Sequence, residues 1–290
     1  MTAVQNSLVA KKSTFLTFLT SDVVKTKVNQ IIAGPAGNKF ITSLISLVSN
    51  NPAIAECEHS TILSSALLGE SLKLSPSPQL GQFYIVPFND NKNGRKVAQF
   101  QIGYKGYIQL AMRSGQYRDL DVIEVREGEY KGKDAFTGKP RIEFIEDDNE
   151  RLKLPVVGYF AYFELLNGFR KSIYWSREKM EQYALTYSQA YKTDVKKGWK
   201  MSFWSKEFDA MAFKTLLRQL ISKWGIMSID FQTAITYDMG IIDDNGNANF
   251  VDNSSNDIQE TKTLPIDVET EPEPETEQII ENDPLGNFEE

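Results

Sequence analysis

Residues 38–50, NKFITSLISLVSN, place Phe40, Ile41, Leu44, Ile45 and Val48 at intervals of three and four, the period of one helix face. Asn51-Pro52 stops that run. A second helix is predicted over 60–70, with Ile62, Leu63, Ala66 and Leu67 on one side, and the SPSP of 75–78 breaks any regular element after it. The pattern then shortens. QFYIVPF (82–88) and KVAQFQI (96–102) read as strands around the turn residues NDNKNG, and further strands are expected at 119–126, 141–146 and 155–166. Asn167-Gly168 between FAYFELL and FRKSIYW is a tight-hairpin signal. From a Ser176 cap, Met180, Tyr183, Ala184, Tyr187 and Tyr191 form one helical stripe. A helix over roughly 201–224 carries Phe213, Leu216, Leu217, Leu220, Ile221 and Trp224. The expected fold is α+β without an internal repeat: helices packed with a small antiparallel sheet and hairpins.

Between the second strand and Gly115 lies a helix predicted over 104–114, with the glycine at the left-handed position after it. Tyr104, Tyr107, Ile108 and Ala111 share one face. Lys105, Gln109 and Arg113 line the other, beside Gly106, where another backbone has room to approach. Lys105 also lies in the first turn, where free N–H groups favour a phosphate. From Asn91 to Arg118 there are six basic residues (Lys92, Arg95, Lys96, Lys105, Arg113 and Arg118) and no acid. Cations interleaved with Phe100, Tyr104, Tyr107 and Tyr117, with Gln101 among them, suit a single-stranded nucleic acid, whose phosphates and bases need charge and flat rings. The tyrosines serve equally as core residues. A second basic concentration spans 196–225. There Lys206 precedes the i,i+4 pair Lys214 and Arg218, which reads either as a groove wall or as a snorkelling pair on a buried helix.

Charge changes the picture once the chain is divided. The whole 290-residue sequence has a formal net charge of −7. Residues 241–290 hold fifteen acidic residues against Lys262 alone, a net of −14, which leaves 31 basic and 24 acidic residues, a net of +7, in residues 1–240. A basic body on an acidic tail points to a polyanionic ligand. The tail, rich in Pro, Glu, Asn and Asp, is expected to be disordered. Three segments are expected: a helical N-terminal segment over 1–34, the candidate for subunit contacts, a nucleic-acid-binding core over 35–240, and the acidic tail over 241–290.

One cysteine, Cys57, and one histidine, His59, make a poor zinc site, exclude an internal disulfide and fit a reducing cytoplasm. No signal peptide and no membrane span is read, and no phosphate-cradle motif is present. No cofactor or metal is expected. Asp119, Asp121 and Glu124 offer carboxylates for a two-metal nuclease, but a D-x-D-x-x-E strand divides its side chains between two faces.

SALLGESLKLSPSPQLGQFYIVPF (65–88) followed by QFQIGYKGYIQLAMRSGQY (99–117) resembles the RecT family of phage single-strand annealing recombinases. So do the later WSREKMEQYA and FWSKEFDAMAFKTLLRQLISKWG, over about residues 35–240 in all. The resemblance implies a basic DNA groove lined by helices and a small antiparallel sheet. It implies ATP-independent binding of single-stranded DNA and pairing of complementary strands without covalent catalysis. It also implies ring or helical homo-oligomers, a partner exonuclease and a host single-strand-binding protein, in a bacterial cytoplasm. By motif it assigns Tyr104, Lys105, Gln109 and Arg113 to the groove, Lys214 and Arg218 to the helix beside it, and the hairpin at 89–96 to a finger touching DNA or a neighbouring subunit. Pro76, Gly81 and Pro87 match architectural positions. A plain single-strand-binding protein and a metal-dependent nuclease are the alternatives.

Overall fold

The computed structural model describes residues 15–250, apart from Ala33, Lys92 and Asp244. Its N-terminal part is helical, with α1 (Asp22–Ile31), α2 (Pro35–Ser49), α3 (Pro52–Ala55) and α4 (His59–Ser71). A hairpin of β1 (Phe83–Asp90) and β2 (Arg95–Ile102) follows, then α5 (Tyr104–Arg113) and β3 (Tyr117–Arg126). A short hairpin, β4 (Tyr130–Lys133) and β5 (Pro140–Ile142), and the single turn α6 (Asp148–Arg151) precede β6 (Val156–Leu165) and β7 (Arg170–Ser176). The remainder is α7 (Arg177–Tyr187), α8 (Gln189–Lys197), α9 (Phe203–Lys206), α10 (Phe208–Trp224), α11 (Ile229–Tyr237) and a minimal ladder of β8 (Ile241–Ile242) with β9 (Ala248–Asn249). This is the α+β arrangement of helices and small antiparallel sheets that the sequence pattern predicts.

The principal sheet is antiparallel in the order β3-β6-β7. On β6 the period of two is clean: Tyr159, Ala161, Phe163 and Leu165 are buried, and the residues between them are partly exposed. Between β6 and β7 the chain turns at Asn167-Gly168, where Gly168 has φ of 84°, a conformation that favours glycine. Helix α10 lies across this sheet and packs on its other side against α5. Because it is covered from both sides, it buries residues all round its circumference, including the run from Lys214 to Ile221. The β1–β2 hairpin packs on α4 and meets α11 and β8, so the core runs continuously from the N-terminal helices to the sheet.

Three boundaries differ from the sequence pattern. The tyrosine-bearing stripe breaks at Ser188, which leaves helical geometry (φ −110°, ψ 103°), and its side chain accepts from the Tyr191 N–H to start α8. The helix expected over 201–224 is two helices, divided at Glu207 (φ −135°, ψ 57°). Its start moves to Phe203 because the Asp194 carboxylate accepts from the backbone N–H groups of Met201 and Ser202. A one-residue break barely shifts the hydrophobic phase, so periodicity cannot register it. The strand expected at 141–146 is only Pro140–Ile142.

His59 opens α4, with its ring against Phe15 and Phe18 at centroid distances of 5.1 and 5.5 Å, and Cys57 is a buried free thiol. Among the described residues no group of three or more His, Cys, Asp or Glu is placed to hold a metal ion. Asp119 accepts a hydrogen bond from the Tyr162 hydroxyl and Glu124 pairs with Arg126. No single described helix is long and apolar enough to cross a membrane. Most of the segment 241–290 lies outside the described residues, but its first part is the β8–β9 ladder, with Ile241 and Ile242 buried.

Candidate nucleic-acid interface

The outward side of the β1–β2 hairpin, the α7–α8 junction, α9 and α10 enclose a cleft of about 460 Å³. Each wall has a sequence reason. Strand β2 alternates, which sets Gln99 and Gln101 side by side on the cleft while Phe100 and Ile102 enter the core. The helical spacing of α7 turns Tyr183 and Tyr187 to the cleft, their rings 4.6 Å apart. Helix α10 contributes Met211, Lys214, Thr215 and Arg218 from one face. No carboxylate is among the residues that line the cleft.

Asp238, just after α11, is the acid nearest to these cations. Its buried carboxylate pairs with the Lys214 Nζ at 2.9 Å and lies 3.7 Å from the Arg218 guanidinium. It also accepts from the Tyr107 hydroxyl at 3.3 Å and the Ile102 N–H at 3.1 Å. Burial pushes the Lys214 pKa down, against the pull of Asp238. Burial, then Asp238, hold Tyr107 well above the usual phenol range. Two basic side chains share one acid, which leaves a net positive charge in the cleft wall when all three groups are ionised. An uncompensated charge away from water is costly, and an anion entering the cleft relieves it.

Gln99 supplies a second unsatisfied feature. It is 3% exposed, its Oε1 accepts from the Gln101 Nε2 at 3.4 Å, and its own Nε2 is buried without a hydrogen-bond partner. A buried donor left unpaired costs roughly 1–3 kcal/mol, so an acceptor arriving in the cleft gains that amount locally.

The residues singled out from the sequence divide into three groups. Gln101, Lys206, Lys214 and Arg218 meet in the cleft. Tyr104 and Lys105 stand on its flank. The Tyr104 ring meets Phe213 edge-on at 5.4 Å, and the Lys105 ammonium lies 6.0 Å from the Tyr104 centroid. Tyr84 sits between this pair and Phe203, its ring 6.4 Å from Phe203 and its pKa raised by burial and then by Tyr104 and Glu207. The third group is engaged elsewhere. Arg113 donates to the Leu72 and Lys73 carbonyls at 2.6 and 3.4 Å, closing the C-terminal end of α4. Arg95 pairs with Glu58 and Asp90, and Lys96 with Glu56. The stretch that is free of acid in sequence is therefore not free of acid in space. Gln109 is half-buried on α5, and Lys92 lies outside the described residues. The room beside Gly106 is filled by the protein itself, since a Cβ there would collide with the Gln82 carbonyl oxygen. Among the cleft residues, sequence reasoning did not single out Gln99, Tyr183, Tyr187 and Phe203 as site residues, nor Asp238 behind the wall. Only the tyrosines left a signal, a helical stripe that reads equally as core.

A model of the RecT family matches residues 38–251. The YqaK protein of Bacillus subtilis (strain 168) is 37% identical over 204 residues, 70% of this chain and 65% of that protein. Protein RecT of Escherichia coli (strain K12) is 30% identical over 191 residues, 64% of this chain and 65% of its own. The chain thus spans just under two thirds of the length of these curated relatives. The matched family segment contains the β1–β2 hairpin, the central sheet, α10 and every described residue of the cleft, and this chain belongs to the RecT family.

Proposed function

We propose that the protein is a recombination protein that binds single-stranded DNA in this cleft and pairs it with a complementary strand without ATP. The observation that carries the reading is the excess positive charge of the Lys214–Arg218–Asp238 cluster facing a cleft with no acid in its lining. Phosphates meet Arg218 and, at the rim, Lys206; bases meet the Tyr183, Tyr187 and Phe203 rings and the Gln99 and Gln101 amides. Such contacts tolerate any sequence, because every base has a flat face and every nucleotide a phosphate. Affinity must fall steeply with salt. The strand is held, not cut: annealing breaks no covalent bond, and the free energy of pairing comes from the new duplex. Repetition of the site in a homo-oligomer would spread many weak contacts along one strand. A 5′→3′ exonuclease that exposes the strand, and a host single-strand-binding protein that coats it, are the partners this reading implies.

The test mixes the purified protein with two complementary oligonucleotides in the absence of ATP and magnesium. Pairing faster than the protein-free rate is expected, with acceleration lost as salt rises. Binding of each strand without acceleration would reduce the protein to a plain single-strand binder.

A further inference from the structure

Beyond the cleft, along the same two helices, lies a second basic depression that the reading above does not use. It is a small trough of about 110 Å³ between the β4–β5 hairpin, β7 and the end of α10. Lys133, Lys139, Lys171, Lys179 and Lys223 converge on it, and no Asp or Glu is among its lining residues. Five ammonium groups do not gather around one hollow without a reason, since surface charge is ordinarily mixed in sign. Two of them share one aromatic ring: the Lys171 Nζ is 4.0 Å and the Lys223 Nζ 5.3 Å from the Trp224 centroid. Lys179 lies 4.4 Å from Trp175. A ring face attracts an ammonium group without taking up its N–H donors, so Lys171 and Lys223 are positioned by Trp224 and still able to bond an anion.

The trough and the cleft adjoin. Trp175 lines the trough and Tyr183 lines the cleft, and their rings are 5.4 Å apart. On α7, Lys179 in the trough is one turn from Tyr183; on α10, Gln219 in the trough follows Arg218 in the cleft. From Thr215 in the cleft to Lys223 in the trough the helix rises about 12 Å, farther than one phosphate group reaches. A single small anion in the trough cannot also reach Arg218 in the cleft, whereas a chain of phosphates can span both. Rings alternating with cations favour a nucleic acid over an acidic peptide, which has no bases to stack.

We infer that the trough seats the phosphate backbone of a nucleic-acid strand and continues the cleft, so that one strand runs through both. This rests on the single-strand reading of the cleft. The experiment compares the full chain with Lys171→Gln/Lys223→Gln, and with a control of equal charge change on the N-terminal helices, Lys25→Gln/Lys39→Gln. Oligothymidylate is the probe, with affinity measured across a salt series and tryptophan fluorescence followed against Trp224→Phe. The trough pair is expected to lower the log–log salt slope by about 1.4, two phosphates at about 0.7 each for single strands. The control pair should leave it unchanged, and the fluorescence change on binding should shrink in Trp224→Phe. An unaltered slope in a folded trough variant, or equal loss in both pairs, overturns the trough. If oligothymidylate quenches Trp224 and the slope falls as expected while complementary strands pair no faster than without protein, the trough stands and annealing fails. If the strand does not bind at all, both fail together.

Discussion

Gln99 separates the requirements of folding from those of binding. Its amide nitrogen is buried, unpartnered and part of the cleft wall, an arrangement that lowers stability in the free protein and has value only when an acceptor arrives. Gln99→Leu removes the unpaired donor and nearly conserves volume. The free protein is expected to gain about 1 kcal/mol in urea unfolding. Its affinity for single-stranded DNA is expected to fall by about two- to tenfold, the worth of one hydrogen bond at about 0.5–1.5 kcal/mol. Loss of stability would mean that the amide is satisfied in the free protein, and unchanged affinity that it plays no part in capture. The neighbouring ion cluster cannot be read this way. Removing Asp238 leaves the Lys214 and Arg218 cations buried without their acid, at a cost of about 3–5 kcal/mol, and a weakened complex would then report damage to the fold.

At the scale of elements, the cleft depends on a segment that contains little regular structure. Residues 198–207 join α8 to α10, with the single turn α9 inside them, and supply Met201, Phe203, Trp204 and Lys206 to the cleft. Asp194, in the last part of α8, fixes that segment by accepting from the Met201 N–H at 2.9 Å, the Ser202 N–H at 2.7 Å and the Ser205 hydroxyl at 2.6 Å. Burial alone would raise its pKa, but the hydrogen bonds from Ser205, Ser202 and Met201 outweigh burial and bring it down to about 2, from 3.8. The folded state therefore holds the carboxylate more firmly than the unfolded chain does. The stabilisation is complete above pH 3.8 and is lost as pH falls through 2. Asp194→Asn is expected to lower stability at neutral pH and to weaken DNA binding by loosening Phe203 and Lys206. In denaturant titrations its deficit against the wild type should narrow as the pH falls from 3.8 toward 2; a constant deficit would show that the charge is not what matters.

The same segment shows what the sequence makes legible. Elements with a long, clean period, such as β6, α2 and α5, can be read to within a few residues, because burial on one face imposes the period directly. Lys214 and Arg218 can be identified as a pair bordered by core, since their i,i+4 spacing lies within an apolar run. Two things could not be read. The partners that neutralise Arg95 and Lys96 include Glu58 and Glu56, some forty residues upstream in the chain. The lysines of the trough come from two hairpins and two helices, so no window of the sequence brings them together. Local pattern reports which face a residue takes; it does not report what stands opposite.

For the whole molecule the governing quantity is the division of charge. Residues 251–290 hold thirteen acidic residues and one lysine, a net of −12, so residues 1–250 carry +5 while the full chain carries −7. A polyanionic strand approaching the full chain meets a net negative object. Only within a Debye length of the cleft, about 8–10 Å at physiological salt, do the local cations dominate. The acidic segment is therefore expected to oppose encounter, either through its field or by competing for the same cations. Where the chain is cut matters, because Ile241 and Ile242 are buried and Gly240 is bonded to Phe100. Truncation at Gly240 would expose core, whereas truncation after Phe250 removes charge and leaves the β8–β9 ladder in place. The chain ending at Phe250 is expected to bind oligothymidylate more tightly than the full chain at low salt, mainly through faster association, and the two should converge as ionic strength rises. Stopped-flow binding across a salt series measures both. Equal association rates at low salt would mean that the acidic segment neither repels the strand nor occupies its seat, and its charge would then have to act on something other than DNA.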